Sequence, residues 1–423
     1  MRTGLSLGAI AAIQLAASLV GQLIVLRIVG VGLSSDAYIA AQSVPMVLGA
    51  VMTASFQNVW LPRFARVAHD TADLQSAQAI ALGQTLQFLL ALSVILWLAS
   101  PWWSRILFPG LSPVQHDQIS RMSGPLFLAG VFTAMSGLLT AAMRATGAFM
   151  RAEVATLGGA IAAIVLLLAA VPYYGVEGAA WITLARAVFV YVVHLRQSGS
   201  PGVNLRSTQT SREVWRELRV VMGGGLLIKT GPLVDRYWSS KADGGGMTLF
   251  NIAQMGINAM TVVLERAVLI PASPEFTRQI ERGDFAALRR SYRRCLIRVV
   301  LGVAAAGLAL LALRPIWRDL LLWLLRIDPI PADVIFTTCL LLLPSAFAAV
   351  SASCATAVLY AFRRTRVATG IGVTAFFASL ALKGVLFSHY GIPGLAAATS
   401  IYVLGVWACY HFAVDRYIRQ AGR

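Results

Sequence analysis

Charged side chains are scarce in this chain of 423 residues, since Asp, Glu, Lys and Arg together make up 13% of it and apolar types make up 58%. A soluble domain of this length would have too few polar residues to cover its surface. Apolar runs of about 20 residues, the length that crosses a hydrocarbon core as a helix, recur along the chain. These runs are uninterrupted rather than alternating, which excludes spanning β-strands. The sequence therefore predicts an all-α polytopic membrane protein.

Catalytic and metal-binding motifs are missing as well. The sequence has no GxxxxGK[ST] phosphate loop, no GxSxG nucleophile elbow and no HExxH zinc motif. Its four cysteines have no metal-ligand spacing and its five histidines are scattered. We expect no cofactor, no metal and no enzymatic activity, so that an ion gradient, the membrane potential or the substrate's own gradient drives any work. A membrane transferase stays an alternative, although no acidic or His-rich cluster is visible at a membrane face.

Acidic residues are the scarcer sign of charge, because 18 Asp and Glu against 35 Lys and Arg give a formal net charge of +17. Such an excess can indicate nucleic-acid binding. However, most basic residues fall on one side when the loops are numbered from a cytoplasmic start at Arg2, as the positive-inside rule expects. The pattern predicts cytoplasmic termini and no nucleic-acid partner.

Residues 1–212 and 213–423 form two copies of one pattern. Paired segments recur in the same order at offsets of 212, 214 and 216 residues: LPRFARVAHD around Pro62 with SPEFTRQIER around Pro274, Pro101-Trp102-Trp103 with Pro315-Ile316-Trp317, and Tyr174 to Gly178 with Tyr390 to Gly394. Transporters are commonly built from such repeats, with the substrate path between the halves. We expect two parallel six-helix lobes around a central cavity.

Twelve spans are predicted, six in each repeat: 5–28, 36–62, 77–100, 122–146, 151–171, 176–196, 214–240, 247–272, 288–313, 332–360, 366–388 and 392–415. An even number of spans gives both repeats the same orientation. The predicted domains are an N-terminal lobe over 1–200, a polar cytoplasmic linker over 201–212 and a C-terminal lobe over 213–423.

Ionisable side chains inside spans are costly unless paired or hydrated, so each is a functional candidate. Helix 8 carries polar residues at spacings of three, four and seven, which place them on one face: Asn251, Gln254, Asn258 and Glu265. Helix 7 carries Lys229, Asp235 and Arg236, and helix 6 carries Arg186. Such side chains either line a hydrated cavity or serve as helix–helix contacts and snorkelling groups. For Arg186, Arg266 and Arg298 both interpretations stay open.

Three short motifs in and around helix 2 resemble the lipid II flippase (MurJ) family: Ser35-Asp36-Ala37-Tyr38, Val44-Pro45 and Trp60-Leu61-Pro62. That family belongs to the multidrug/oligosaccharidyl-lipid/polysaccharide (MOP) exporter superfamily. The resemblance implies a cargo of undecaprenyl-pyrophosphate-linked sugar, moved from the inner to the outer leaflet by alternating access. A sugar-pyrophosphate head group cannot cross hydrocarbon unaided, because its charge and hydroxyls would lose their water.

The sequence departs from the family pattern in its charges and at its end. The last two helices of the family have no counterpart beyond the twelve predicted spans. The family places cavity arginines on helices 1, 2 and 8, and Arg27 matches one of them. The other positions fall on Gly21, on Gly49 or Ala50, and on Met255. These changes leave room for another lipid-linked glycan, such as an O-antigen or capsule unit.

Helix 11 has Ser379 and Lys383 where the family tends to place Asn and Asp. We hypothesise that the Lys383 ammonium replaces a bound sodium ion and pairs with Asp235, because an uncompensated buried carboxylate would be costly. Asp235, Lys383 and Ser379 are therefore the expected ion-coupling residues.

We expect a flippase of lipid-linked oligosaccharide that acts as a monomer among membrane lipids, with glycan-synthesis enzymes as candidate partners. The expected substrate-binding residues are Arg27, Asp36, Lys229, Arg236, Asn251, Gln254, Asn258 and Glu265. The alternatives are a drug or cation antiporter of the same superfamily and a non-transporting membrane scaffold. A major facilitator is disfavoured because the loop after helix 2 lacks its GxxxDRxGRR-like signature.

Overall fold

The uninterrupted apolar runs of the sequence form helices throughout the computed structural model. It describes residues 2–199, 202–205, 214, 217–218, 222, 229–362 and 364–421. Among these residues, nine helices are long and apolar enough to cross a membrane, as the hydropathy of the chain predicts. The regular elements in this part of the chain are all helical, so the predicted all-α class is confirmed.

The chain divides into two compact units, Met1–Gly245 and Gly246–Arg423. The first unit contains α1 (Arg2–Val29), α2 (Leu33–Val67), α3 (Thr71–Leu98), α4 (Ser100–Leu107), α5 (Pro113–Ala145), α6 (Phe149–Ser198) and α7 (Gly231–Ser239). The second contains α8 (Gly246–Leu264), a π-helical turn (Glu265–Leu269), α9 (Ile270–Glu281), α10 (Phe285–Ala312), α11 (Arg314–Leu325), α12 (Pro329–Ala361) and α13 (Thr365–Ala421). The lobe boundary predicted at 201–212 lies mostly outside the described residues and stays a prediction.

Two of the long helices each contain two predicted spans. The spans 151–171 and 176–196 both lie in α6, and 366–388 and 392–415 both lie in α13. Each pair is separated by a kink at a glycine, with φ 54° and ψ −140° at Gly175 and φ 59° and ψ −137° at Gly391. Glycine tolerates positive φ at little cost because it has no Cβ. The predicted helix 7, 214–240, falls largely outside the described residues.

The internal repeat extends from sequence to backbone. The two kink glycines are 216 positions apart, as are the YG segments that carry them. Asp70 and Asp284, 214 positions apart, begin corresponding helices. The Asp70 carboxylate accepts from the Ala72 amide at 2.8 Å, and the Asp284 carboxylate accepts from the Ala287 amide at 2.8 Å. Side-chain acceptors at this position satisfy amides that the first helical turn leaves unpaired.

Two short helices, α4 and α11, were not predicted. Each has a proline at its first or second position, Pro101 or Pro315, in the repeated Pro-x-Trp segment. Large apolar side chains on both helices are exposed, including Trp102 and Trp323. Tryptophan is typical of the membrane–water interface, which fits short helices between spans. Their lengths of 8 and 12 residues are too short to cross the bilayer.

Each unit has its own apolar core. In the first, Phe56, Trp60 and Phe64 recur every fourth residue along α2 and are fully or almost fully buried among side chains of α3 and α5. Spacing of four places them on one helix face. In the second unit, Phe276 of α9 and Val350 and Val358 of α12 pack with Val414 of α13.

The described part of the polar linker, residues 202–205, lies along α3. The Asn204 amide donates to the Ala79 carbonyl at 2.9 Å, and the Gln87 side chain donates to the Leu205 carbonyl at 3.1 Å. Gly83 allows this approach, because a Cβ there would overlap the Asn204 carbonyl oxygen. The linker is thus held against the first unit by backbone contacts.

We predict that Gly83→Ala displaces residues 202–205 from α3. Losing one backbone hydrogen bond, about 0.5–1.5 kcal/mol net, corresponds to a roughly two- to tenfold larger open population. Trypsin should then cut after Arg206 faster by about that factor, since cleavage follows the open population. Gly158→Ala is the matched control, because a Cβ at Gly158 meets no atom within 4 Å. Equal cleavage of both variants and the wild type would contradict the docking.

Candidate functional site

A cavity of about 600 Å³ lies inside the first unit. It is lined by α1, α2, α5 and both halves of α6. Small residues create much of the space, because their side chains do not reach the facing helices: Ala17, Gly21, Gly49, Ala50, Ala129, Gly130, Ala160 and Ala163. A Cβ added at Gly49 would meet no atom within 4 Å. The volume is within the usual range for small-molecule sites.

Polar groups interrupt the apolar lining of this cavity. The Tyr38 hydroxyl lies beside the Gln42 and Thr183 side chains. The Gln22 Oε1 and Thr53 Oγ1 atoms are buried and have no hydrogen-bond partner among the described residues. Because buried polar atoms are normally paired, such atoms point to water or a ligand in the cavity.

Arg186 is the one charged side chain among the lining residues, all of which belong to the described part of the chain. The Arg186 side chain is partly buried. Among the described residues, no charged group or hydrogen-bond acceptor contacts its guanidinium. Gly159 lies next to its stem: a Cβ at Gly159 would be in ordinary contact with Arg186 Cγ at 3.7 Å and would overlap Val190 Cγ2 at 2.4 Å. The sequence left Arg186 open between lining a hydrated cavity and serving as a helix contact or snorkelling group; the structure places it among the residues that line the cavity.

Asp36 is held at the start of α2 rather than in the cavity lining. Its carboxylate is 3% exposed, and Oδ2 accepts from the Gly245 amide at 2.7 Å. Gly245 has a φ of 94°, in the left-handed region that favours glycine, and packs against Val31 and Gly32. An acidic residue in the first turn is also stabilised by the helix dipole. Asp36 therefore fastens the loop after α7 to the start of α2.

The remaining predicted residues of the first unit lie outside the cavity lining. Arg27 is partly buried in the last turn of α1. Lys229 is exposed. Asp235 is buried on α7, and its neighbour Arg236 is partly buried. The structure therefore does not bring these four side chains to the cavity wall.

The predicted polar face of helix 8 lies on α8 and the π-helical turn of the second unit. Asn251 and Gln254 are partly buried, and Asn258 is exposed. Glu265 begins the π-helical turn, and its Oε1 accepts from the Ser353 hydroxyl at 2.8 Å. Single π-helical turns are frequent at functional sites. Glu265 is thus oriented by α12, a partner that the sequence did not indicate.

Lys383 and Ser379 are both buried, one turn apart on α13. The Ser379 hydroxyl donates to the Phe376 carbonyl at 2.7 Å. The Lys383 ammonium lies 5.7 Å from the centre of the Tyr402 ring, close enough for a cation–π contact. Asp235 belongs to the first unit and Lys383 to the second, and their pairing stays a prediction.

The sequence profile of the family described as Lipid II flippase MurJ matches residues 25–318. No curated protein sequence matches the chain. A solved structure of a lipid II flippase MurJ in an inward closed conformation is 11% identical, with a TM-score of 0.84 over 99% of this chain and 90% of that chain.

Two transporters of the MOP superfamily are also similar. An inward-facing multidrug resistance MATE transporter is 14% identical, with a TM-score of 0.78 over 96% of this chain and 95% of that chain. A transporter from Pyrococcus furiosus, described as having a binding pocket of reversed polarity, is 13% identical, with a TM-score of 0.71 over 99% of this chain and 96% of that chain. At these identities the structures establish a shared fold.

We predict that Asp36→Ala releases the loop at Gly245. A hydrogen bond to a carboxylate contributes about 1.5–3 kcal/mol, so the free energy of unfolding in detergent should fall by about that amount. Exchange of the Gly245 amide with deuterium should accelerate in parallel. Asp243→Ala is the matched control, because Asp243 is an exposed acid in the same loop. An Asp36→Ala protein as stable as the control would contradict this role.

Proposed function

Because the chain belongs to the lipid II flippase (MurJ) family, we propose that it moves a polyprenyl-pyrophosphate-linked oligosaccharide across the bacterial cytoplasmic membrane by alternating access. The direction is from the inner to the outer leaflet. The observation that supports this most is the cavity of the first unit, which combines unpaired polar atoms with one arginine. Unpaired polar atoms and a charge within a spanning segment are costly unless water or a hydrophilic ligand contacts them.

The physical task of such a flippase is to hydrate or bind a head group that hydrocarbon rejects. Moving a charged phosphate and unpaired hydroxyls into an apolar medium costs several kcal/mol for each group. A cavity with hydrogen-bond partners lowers that barrier, while the lipid tail stays in the bilayer. Cationic donors are suited to the pyrophosphate, because charge-assisted hydrogen bonds are the stronger ones.

Outside the cavity of the first unit, head-group binding is proposed to involve further cationic side chains for the pyrophosphate and amide or carboxylate side chains for sugar hydroxyls. The first set is Arg27, Lys229 and Arg236. The second set is Asn251, Gln254, Asn258 and Glu265. Asp36 acts near the gate, and its contact with the Gly245 amide supports a role in holding one closed arrangement.

The cargo is proposed to be anionic rather than cationic, which disfavours a drug or cation antiporter. The lining residues of the cavity include Arg186 and no carboxylate, all of them within the described part of the chain. A cationic solute would meet like charge there, which costs free energy. Lipid II and a surface-polysaccharide unit both fit this electrostatic requirement.

We predict that filling the cavity stops transport. Vesicles containing the protein and a lipid-linked oligosaccharide with a fluorescent head group should lose inner-leaflet fluorescence to external dithionite. Gly49→Leu should slow this loss at least about tenfold, because its side chain enters space that the head group needs. Gly158→Leu is the matched control, since a Cβ there also meets no atom within 4 Å but Gly158 does not line the cavity. Wild-type protein without flipping activity would refute the proposed function.

The proposed coupling pair gives a separate prediction. If the Lys383 ammonium replaces a sodium ion opposite Asp235, wild-type transport should not change when sodium is replaced by choline. Lys383→Asn should transport at least about tenfold more slowly without sodium, because it leaves the buried carboxylate uncompensated. Sodium should restore part of its rate. Sodium-dependent transport by the wild type would contradict the pairing, and Ser379→Ala tests whether the neighbouring hydroxyl contributes.

A further inference from the structure

The cavity of the first unit is built for a ligand that is both anionic and rich in hydroxyls. We propose that Arg186 binds a phosphate oxygen of the cargo inside this cavity, while Gln22 and Thr53 bind hydroxyls of the sugar next to it. The inference rests on the flippase function proposed above and names the subsite that holds the junction of phosphate and sugar. Within this cavity, α6 supplies the positive charge.

The first argument is the position of Arg186 along α6. After the kink at Gly175, the helix continues from Val176 to Ser198. At 1.5 Å per residue, Arg186 lies about 15 Å from Val176 and about 18 Å from Ser198. An extended arginine side chain is shorter than either distance. Arg186 thus lies near the middle of a segment long enough to span the hydrocarbon core, which favours the cavity over the snorkelling interpretation.

The second argument is the lack of a protein partner for this charge. Among the described residues, none places a carboxylate or a hydrogen-bond acceptor against the Arg186 guanidinium. An arginine in the middle of a spanning segment is costly unless it is paired or hydrated. The cavity supplies the room for that pairing. The five N–H donors of the Arg186 guanidinium can bind two oxygens of a phosphate in a bidentate arrangement.

The third argument is the set of acceptors that faces the same space. The Gln22 amide oxygen can only accept, so its partner must carry an O–H or N–H. The Thr53 hydroxyl can both donate and accept. Chloride would satisfy Arg186 but carries no O–H or N–H for the Gln22 oxygen, which would then depend on water. A phosphate joined to a sugar satisfies all three groups together.

Volume supports the same class of ligand. A cavity of about 600 Å³ is far larger than a chloride or phosphate ion needs, since water occupies about 30 Å³ in the liquid. The small residues on α1 and α2, including Gly21 and Gly49, keep this space open. The head group of a lipid-linked sugar therefore has room to enter with its phosphate toward α6.

Binding to the full-length protein in nanodiscs tests the proposal. Three probes separate the contributions: inorganic pyrophosphate, geranyl pyrophosphate, and a short prenyl-pyrophosphate-linked N-acetylhexosamine. We expect calorimetry to give the sugar-bearing probe an affinity at least about tenfold higher than that of the other two. Arg186→Gln should weaken all three about tenfold or more, because charged hydrogen bonds to phosphate are lost. Gln22→Leu and Thr53→Val should weaken only the sugar-bearing probe.

Two further variants keep the result decisive. Arg196→Gln removes the same charge from an exposed position on the same helix and should leave every affinity unchanged. Arg186→Lys keeps the charge but loses the bidentate geometry, and should retain part of the affinity. If Arg186→Gln does not elute as a single folded species, Arg186→Lys and Gln22→Leu provide the measurement.

Several outcomes would overturn the inference: wild-type protein that binds none of the probes, Arg186 variants that bind like the wild type, or Arg196→Gln that loses affinity equally. Pyrophosphate binding as tight as that of the sugar-bearing probe would reduce the site to a free-anion site and would also overturn it. Arg186-dependent binding without flipping in vesicles would refute the proposed function alone. Flipping with binding independent of Arg186 would refute only the subsite.

Discussion

The constraint on which the site depends is the free energy of an unpaired guanidinium halfway along a spanning helix. Arg186 lies near the middle of a spanning segment and has no partner among the described residues. It is tolerable only beside water or an anionic ligand, which requires open space. Gly21, Gly49 and Ala50 provide that space on α1 and α2, while Gly159 lets the two halves of α6 pack closely. The charge therefore requires the small residues, because they create the space that its water or ligand occupies.

The repeat shows which features of the fold are backbone requirements and which are free to diverge. The kinks at Gly175 and Gly391 have nearly the same dihedral angles, and Asp70 and Asp284 cap corresponding helices. These features depend on local backbone geometry, so each copy needs them. Charged residues inside the spans are not repeated in this way. The first unit has Arg186 at its cavity, whereas the second has Glu265, which is oriented by Ser353 of α12. The two copies share a scaffold and differ in chemistry.

Much of the fold was predictable because hydrophobic length alone identifies a spanning helix. Eleven of the twelve predicted spans match described helices. However, α6 and α13 each contain two of these spans, joined by a kink at a glycine that hydropathy cannot predict. The short helices α4 and α11 were missed because they are too short to produce a hydropathy signal. The site was less predictable. Periodicity predicted a polar face on helix 8, but it could not indicate that Asp36 binds the Gly245 amide, 209 residues away, or that Ser353 orients Glu265.

Arg186 illustrates why a cavity is hard to predict from sequence. Much of the cavity wall consists of glycine and alanine residues. A glycine or alanine at a single position in the sequence does not indicate whether it lines a cavity. The resemblance to the flippase family placed arginines at Gly21 and at Gly49 or Ala50, so these positions suggested lost anion binding. In the structure all three line the same cavity as Arg186. An arginine at Gly49 would occupy the space that now lies open. Positive charge supplied from α6 leaves that space to the ligand, so small residues at the expected arginine positions are compatible with anion binding in a roomier site.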